Sequence, residues 1–140
     1  MSNPKAKVLS VDTVESDRVY EKQLDHHFGI NKMTCDSESL SMTFVRIKPG
    51  HKARAHFHLN SELGQYIIKG KGKYHFYPGV EGEEESHDIY PGCFIYVPKG
   101  CIHVIENTGD EDIESIAAYG EANTGQATLK IYTESPLEPA

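Results

Sequence analysis

Apolar positions in this chain recur at a spacing of two more often than at the three-to-four spacing of a helix. The run SLSMTFVRIKPG alternates apolar with polar residues and closes on Pro49-Gly50. QYIIKGKGKYHFYPG is rich in Tyr, Ile and Phe and also stops at Pro-Gly. HDIYPGCFIYVPKG sets Phe94, Ile95, Tyr96 and Val97 between a Pro-Gly and a Pro-Lys-Gly turn. CIHVIENTGDEDIESIAAYG adds two strand-like runs on either side of Asn107-Thr108-Gly109-Asp110. Alternation sends successive side chains to opposite faces of a strand, and Gly, Pro, Asn and Asp at intervals of about ten residues punctuate the strands with turns. The pattern predicts an all-β sandwich or barrel. No segment holds a 3.6-residue apolar period for three turns, and VDTVESDRVYEKQLDHH reads as an edge strand and loop.

A chain of 140 residues with 38% hydrophobic content is expected to form one domain around one core. Residues 1–39 are expected to be N-terminal strands or an arm, and residues 133–140 a tail with two prolines. The formal charge of −7 argues against a nucleic-acid partner, which needs a basic face. The acidic run from Glu81 to Glu85 reads as a solvated loop tip. No apolar run reaches 18 residues, so no transmembrane helix and no membrane partner are expected. The start, MSNPKAKVLSVD, lacks the apolar centre of a secretory signal, which predicts a cytoplasmic protein. Cys35, Cys93 and Cys101 form no CxxC pair and read as reduced, small apolar side chains.

The chemistry begins at AHFHLNSELGQYIIKGKG. On a strand His56 and His58 share a face, with bases roughly 6–7 Å apart. Two such imidazoles can converge on one ion through bonds of about 2.0–2.2 Å. An isolated HxH pair is weak evidence among eight histidines, and the second half of the chain strengthens it. There Gly92, Pro98, Gly100, His103 and Asn107 stand at fixed intervals, and earlier Gly50, His56, His58 and Gly70 do the same. These two segments, residues 50–70 and 92–107, resemble the two signature motifs of the cupin superfamily. The resemblance implies a jelly-roll β-barrel, with His56, His58 and His103 facing inward to hold one divalent metal ion. His103 lies beside Val104 and Ile105, so on its own it would read as a core side chain.

The family pattern usually adds a glutamate, and here the sequence departs from it. Glu62 follows His58 after three residues, but counted back from Gly70 the glutamate slot falls on Leu63. Alternation puts Leu63, Gln65 and Ile67 on one face and Glu62, Gly64 and Tyr66 on the other, unless a bulge at Gly64 reverses them. The fourth ligand is therefore expected from Gln65, with Glu62 or water as alternatives. Three imidazoles leave the ion's charge uncompensated and favour an anionic ligand; Fe, Zn, Ni, Mn and Cu all tolerate such a shell.

Around that site, His75, Tyr96 and Arg46 are candidates for lining the pocket, as are Tyr74, Tyr77 and Tyr119. Each also has a plainer reading as a strand or surface residue. His26 and His27 read as ordinary loop residues. The expected function is that of a metal-dependent enzyme acting on a small organic molecule by Lewis-acid activation, of dioxygenase, isomerase, lyase or cyclase type. The alternative is a non-catalytic module that binds a metal or senses a small molecule. A homodimer is expected, with the first forty residues or the Ile131-Tyr132 region crossing to the partner.

Overall fold

A computed structural model describes residues 5–17, 19–77 and 83–132 of the chain. Ten strands form two five-stranded sheets: β1 Asp25–Ile30, β2 Leu40–Ile47, β3 His56–His58, β4 Leu63–Lys69, β5 Gly72–Tyr77, β6 Glu85–Ile89, β7 Phe94–Val97, β8 Ile102–Glu106, β9 Ile113–Gly120 and β10 Lys130–Tyr132. One sheet runs β1-β2-β9-β4-β7 and the other β10-β3-β8-β5-β6, with antiparallel pairing throughout. This is the jelly-roll sandwich that the alternating sequence and the paired motifs predict. The tail, residues 133–140, and residues 78–82 lie outside the described residues; of the acidic run, Glu83 and Glu84 are exposed and Glu85 opens β6.

Period two is visible in the burial. Ser41, Thr43, Val45 and Ile47 of β2 turn inward, as do Ile113, Ser115, Ala117 and Tyr119 of β9. Facing them, Tyr74, Ile89 and Ile105 complete the core from the second sheet. Burying a side chain of this size stabilises the fold by roughly 1.5–3 kcal/mol. The hydroxyls of this inner face need partners: Ser115 donates to the carbonyl of Val45, whereas the Ser41 hydroxyl has none.

Motif residues hold the sandwich together at its turns. Gly100 has a φ of +79°, which a side chain resists, and its N–H donates to the carbonyl of His58 at 2.9 Å. That bond ties the turn before β8 to the HxH strand. Gly72 meets the backbone of β8 so closely that a Cβ would lie 2.1 Å from the Glu106 carbonyl oxygen. Asn107, fully buried, donates to the carbonyls of Ile47 and Glu111 and accepts from the N–H of Gly109. It closes the end of β8 as a structural clamp.

The N-terminal region departs from expectation in two places. Lys32–Cys35 forms one helical turn, α1, capped by the Asn31 side chain; a single turn is too short to show a period. His26 and His27 are not loop residues but lie on β1, an edge strand, and His26 is buried. The Ile131-Tyr132 region pairs with β3 of its own chain. The arm before β1 lies over the outer face of its own first sheet and leaves a cavity of about 600 Å³ beneath it.

Candidate metal centre

Two neighbouring strands bring the histidines together. His56 and His58 point inward from β3, and His103 sits opposite His56 on β8. All three are buried, and their available ring nitrogens lie within 4.8 Å of one another. Among the described residues this is the cluster of metal-binding side chains that meets that spacing.

The outer nitrogen of each ring is already engaged. His56 Nδ1 lies 2.6 Å from the carbonyl oxygen of Arg54, and His103 Nδ1 lies 3.0 Å from that of Cys101. A carbonyl only accepts, so both rings carry their proton on Nδ1. His58 Nδ1 lies 2.9 Å from the hydroxyl of Thr128, which itself donates to the carbonyl of Gly125. With its proton spent there, the Thr128 oxygen accepts from His58, and from the Tyr20 hydroxyl at 3.2 Å. All three Nε2 lone pairs are thus turned inward, and the Nε2 of His58 is buried with no hydrogen-bond partner. An orphaned acceptor beside two matching ones is the arrangement a divalent cation satisfies.

Electrostatics keep the rings ready for a cation. Burial first, and then the neighbouring His103 and Lys130, push His58 down to about 2 and hold His56 well below the usual imidazole range. Burial likewise lowers His103 to about 4. The rings are neutral at pH 7, so a metal meets no competing proton.

Alternation separates the two candidates for a fourth ligand. The β4–β9 register runs unbroken from Leu63 to Ile67 and shifts only between Ile67 and Lys69, so no bulge falls at Gly64. Leu63, Gln65 and Ile67 face inward. Glu62 lies outside the barrel, where the Tyr96 hydroxyl donates to it at 2.7 Å, and it cannot reach the histidines. Gln65 lines the same cavity as His56 and His103. Its amide donates to Ser115 at 2.9 Å and its oxygen accepts from Tyr74 at 3.1 Å, which fixes its orientation and leaves one oxygen lone pair.

The other pocket candidates face away from the interior. Arg46 stands on the outer face of β2 and pairs with Glu114 at 3.1 Å. His75 lies between inward Tyr74 and Phe76, and reaches Ser86 and Glu106 on the outer face of the second sheet. Tyr96 is exposed on β7. In each case the strand's alternation, fixed by its buried neighbours, sends the side chain outward. Of the tyrosines, Tyr74 and Tyr119 are buried on the cavity wall, and burial raises both hydroxyls far above their ordinary range, so they stay protonated donors.

The cavity beside the histidines measures about 30 Å³, room for one water-sized guest. Its walls include residues that sequence reasoning missed. Lys130 of β10 sits opposite His58 in register and is buried with Glu21, to which it donates at 3.1 Å. The same ammonium donates to the Tyr20 carbonyl and lies 4.2 Å from the Tyr20 ring centroid. His26 also lines the cavity, and its Nδ1 has no partner. No motif spacing marks these residues, because they arrive from opposite ends of the chain.

Comparison with known proteins agrees with this architecture. Oxalate decarboxylase OxdC of Bacillus subtilis is 26% identical over 93 residues, 66% of this chain and 24% of OxdC, so the chain spans about a quarter of that relative's length. A protein of Aquifex aeolicus is 24% identical over 96 residues, covering 69% of this chain and 72% of its own. Among solved structures, a Klebsiella pneumoniae protein with a double-stranded β-helix domain superposes with a TM-score of 0.69 at 17% identity, over 94% of this chain and all of that one. A structure of B. subtilis oxalate decarboxylase, a protein with Mn(II) centres, gives 0.69 at 20% identity over 89% of this chain and 33% of its own. Residues 14–135 match the family model described as Cupin, and with both motifs placed on this double sheet the chain belongs to the cupin family.

Proposed function

We propose that the chain is a metal-dependent enzyme acting on a small organic molecule, with His56, His58 and His103 holding one divalent ion. The observation that carries this reading is the set of three buried neutral imidazoles whose outer nitrogens are all tied to acceptors. Gln65 is the fourth protein group at the ion, as a neutral oxygen. When bound, the ion supplies Lewis-acid polarisation of a substrate oxygen. The protein's own groups do the rest: Tyr74 and Gln65 fix the cavity wall, Tyr119 offers a protonated hydroxyl, and the apolar core excludes water. A lyase stands first among the reaction types, because the relative OxdC is named a decarboxylase. Mn is the first ion to test, since the structural neighbour carries Mn(II).

The second reading, a non-catalytic metal-binding or sensing module, draws on the lack of a carboxylate among the three clustered ligands and on the small size, about 30 Å³, of the cavity. Turnover by the Mn-loaded and Fe-loaded protein on a panel of small carboxylic, enolisable and catecholic compounds separates the two. The enzyme reading expects turnover that a His56→Ala, His103→Ala double variant abolishes. Silence across the panel, with metal removal lowering only the melting temperature, supports the module instead.

We further propose that two copies pair through the outer face of the first sheet. Phe94 is 84% exposed there against Tyr66, and Tyr96, Ile68 and Met42 are exposed on the same face. At the 150–250 Å² that an aromatic side chain offers, this face presents roughly 600 Å² of apolar surface. A stable dimer needs roughly 800 Å² from each partner, and the adjoining arm with exposed Val8 and Leu9 supplies the remainder.

A further inference from the structure

Lys130 is an odd neighbour for a metal site. Its ammonium lines the same cavity as His56 and His103 and is almost wholly withdrawn from water. A fixed cation there repels a divalent ion, and three neutral imidazoles do nothing to offset the repulsion. Glu21 offsets part of it, but Glu21 is not among the groups within ligand spacing of the histidines. A buried Lys–Glu pair is also a poor source of stability, because desolvating both charges consumes most of their attraction. Three charges of this kind coexist most favourably when an anion sits between the lysine and the metal.

Tyr20 and Glu21 line the cavity and are held there by Lys130: one donor goes to the Tyr20 carbonyl and one to the Glu21 carboxylate, with the Tyr132 hydroxyl 3.4 Å from the same oxygen. The ammonium also lies 4.2 Å and 4.8 Å from the ring centroids of Tyr20 and Tyr132. The buried, unpartnered Nδ1 of His26 is a further polar atom on the cavity wall. The space beside these groups is about 30 Å³, room for a guest of water size.

We propose that Lys130 is the anchor for a carboxylate group of the ligand, and that Glu21 is the resident carboxylate which this group displaces. Exchange of one carboxylate for another on the Lys130 ammonium conserves charge, and it releases Glu21 from the cavity wall as the ligand seats. The proposal rests on the reading of the histidines as a metal site for the ligand's far end, and names the ligand class as a small organic acid.

The test is acetate binding by isothermal titration calorimetry, with acetamide as the uncharged control, on the full chain in metal-loaded and metal-free forms. Glu21→Gln removes the competitor and keeps its shape. It is expected to raise acetate affinity about tenfold, with no gain for acetamide. The double variant Glu21→Gln, Lys130→Met leaves no unpaired buried charge, so it retains the fold; it is expected to lose that gain and fall below the wild-type affinity. Unchanged or weaker acetate binding by Glu21→Gln, or a double variant that binds as tightly as Glu21→Gln alone, overturns the proposal. Elemental analysis of the same samples separates the two readings. A protein that takes up no metal defeats the metal-site reading, while the opposite shifts in the metal-free protein still decide the role of Lys130.

Discussion

At the scale of single residues, the centre depends on proton placement as much as on ligand identity. Two rings are oriented by backbone carbonyls, which no substitution can remove, but His58 relies on the Thr128 hydroxyl. Thr128→Val keeps the shape and deletes the nearer acceptor, leaving the buried Nδ1–H of His58 only the Tyr20 hydroxyl at 3.4 Å. Metal affinity should fall by about 10–100-fold, read by competition with a chelator, while the fold is retained. Equal affinity in the two proteins would show that Thr128 does not orient the ring. Alternation puts Gln65 and Glu62 on opposite faces, since their positions differ in parity and only one parity faces the core. The same rule turned Arg46, His75 and Tyr96 outward once their buried neighbours fixed each strand's inner face. Thr128 and Lys130 were not legible in the sequence: each acts through a contact to β3 from about 70 residues further along the chain.

At the scale of elements, the strands were readable because each run alternates and ends at a Gly, Pro or Asn turn. The Gly70–Gly72 hairpin shows what the pattern could not display. Gly72 leaves the space that lets β5 lie against β8, and β8 carries His103. A methyl there would meet backbone rather than a movable side chain. Gly72→Ala is expected to destabilise the protein by roughly 2–4 kcal/mol, measured by urea unfolding. A loss below about 0.5 kcal/mol, the range of ordinary surface substitutions, would mean that the two strands tolerate separation. The region before β2 was the least legible. Its single helical turn is too short to show a period and packs against β1, and β1, whose inward positions include His26, takes its place by pairing with β2.

At the scale of the whole molecule, the sandwich has one polar-lined interior and one conspicuously apolar outer face. The interior is where charged and titratable groups are buried, at a cost that a purely structural core avoids. The outer face carries Phe94, Tyr66 and Ile68 toward water without a covering element among the described residues. Phe94→Glu should therefore convert a dimer to a monomer in light scattering while leaving the far-UV spectrum unchanged. A wild-type protein that runs as a monomer at micromolar concentration would refute the pairing. Burying such a face against a second copy also protects the edge formed by β7.

The central claim is that three imidazoles share one cation, and an anomalous-diffraction map of crystals grown from metal-loaded protein tests it most directly. The account predicts a single peak bonded to the Nε2 atoms of His56, His58 and His103 at about 2.0–2.2 Å. A map with no peak among those rings, or with the metal held elsewhere on the chain, would contradict it.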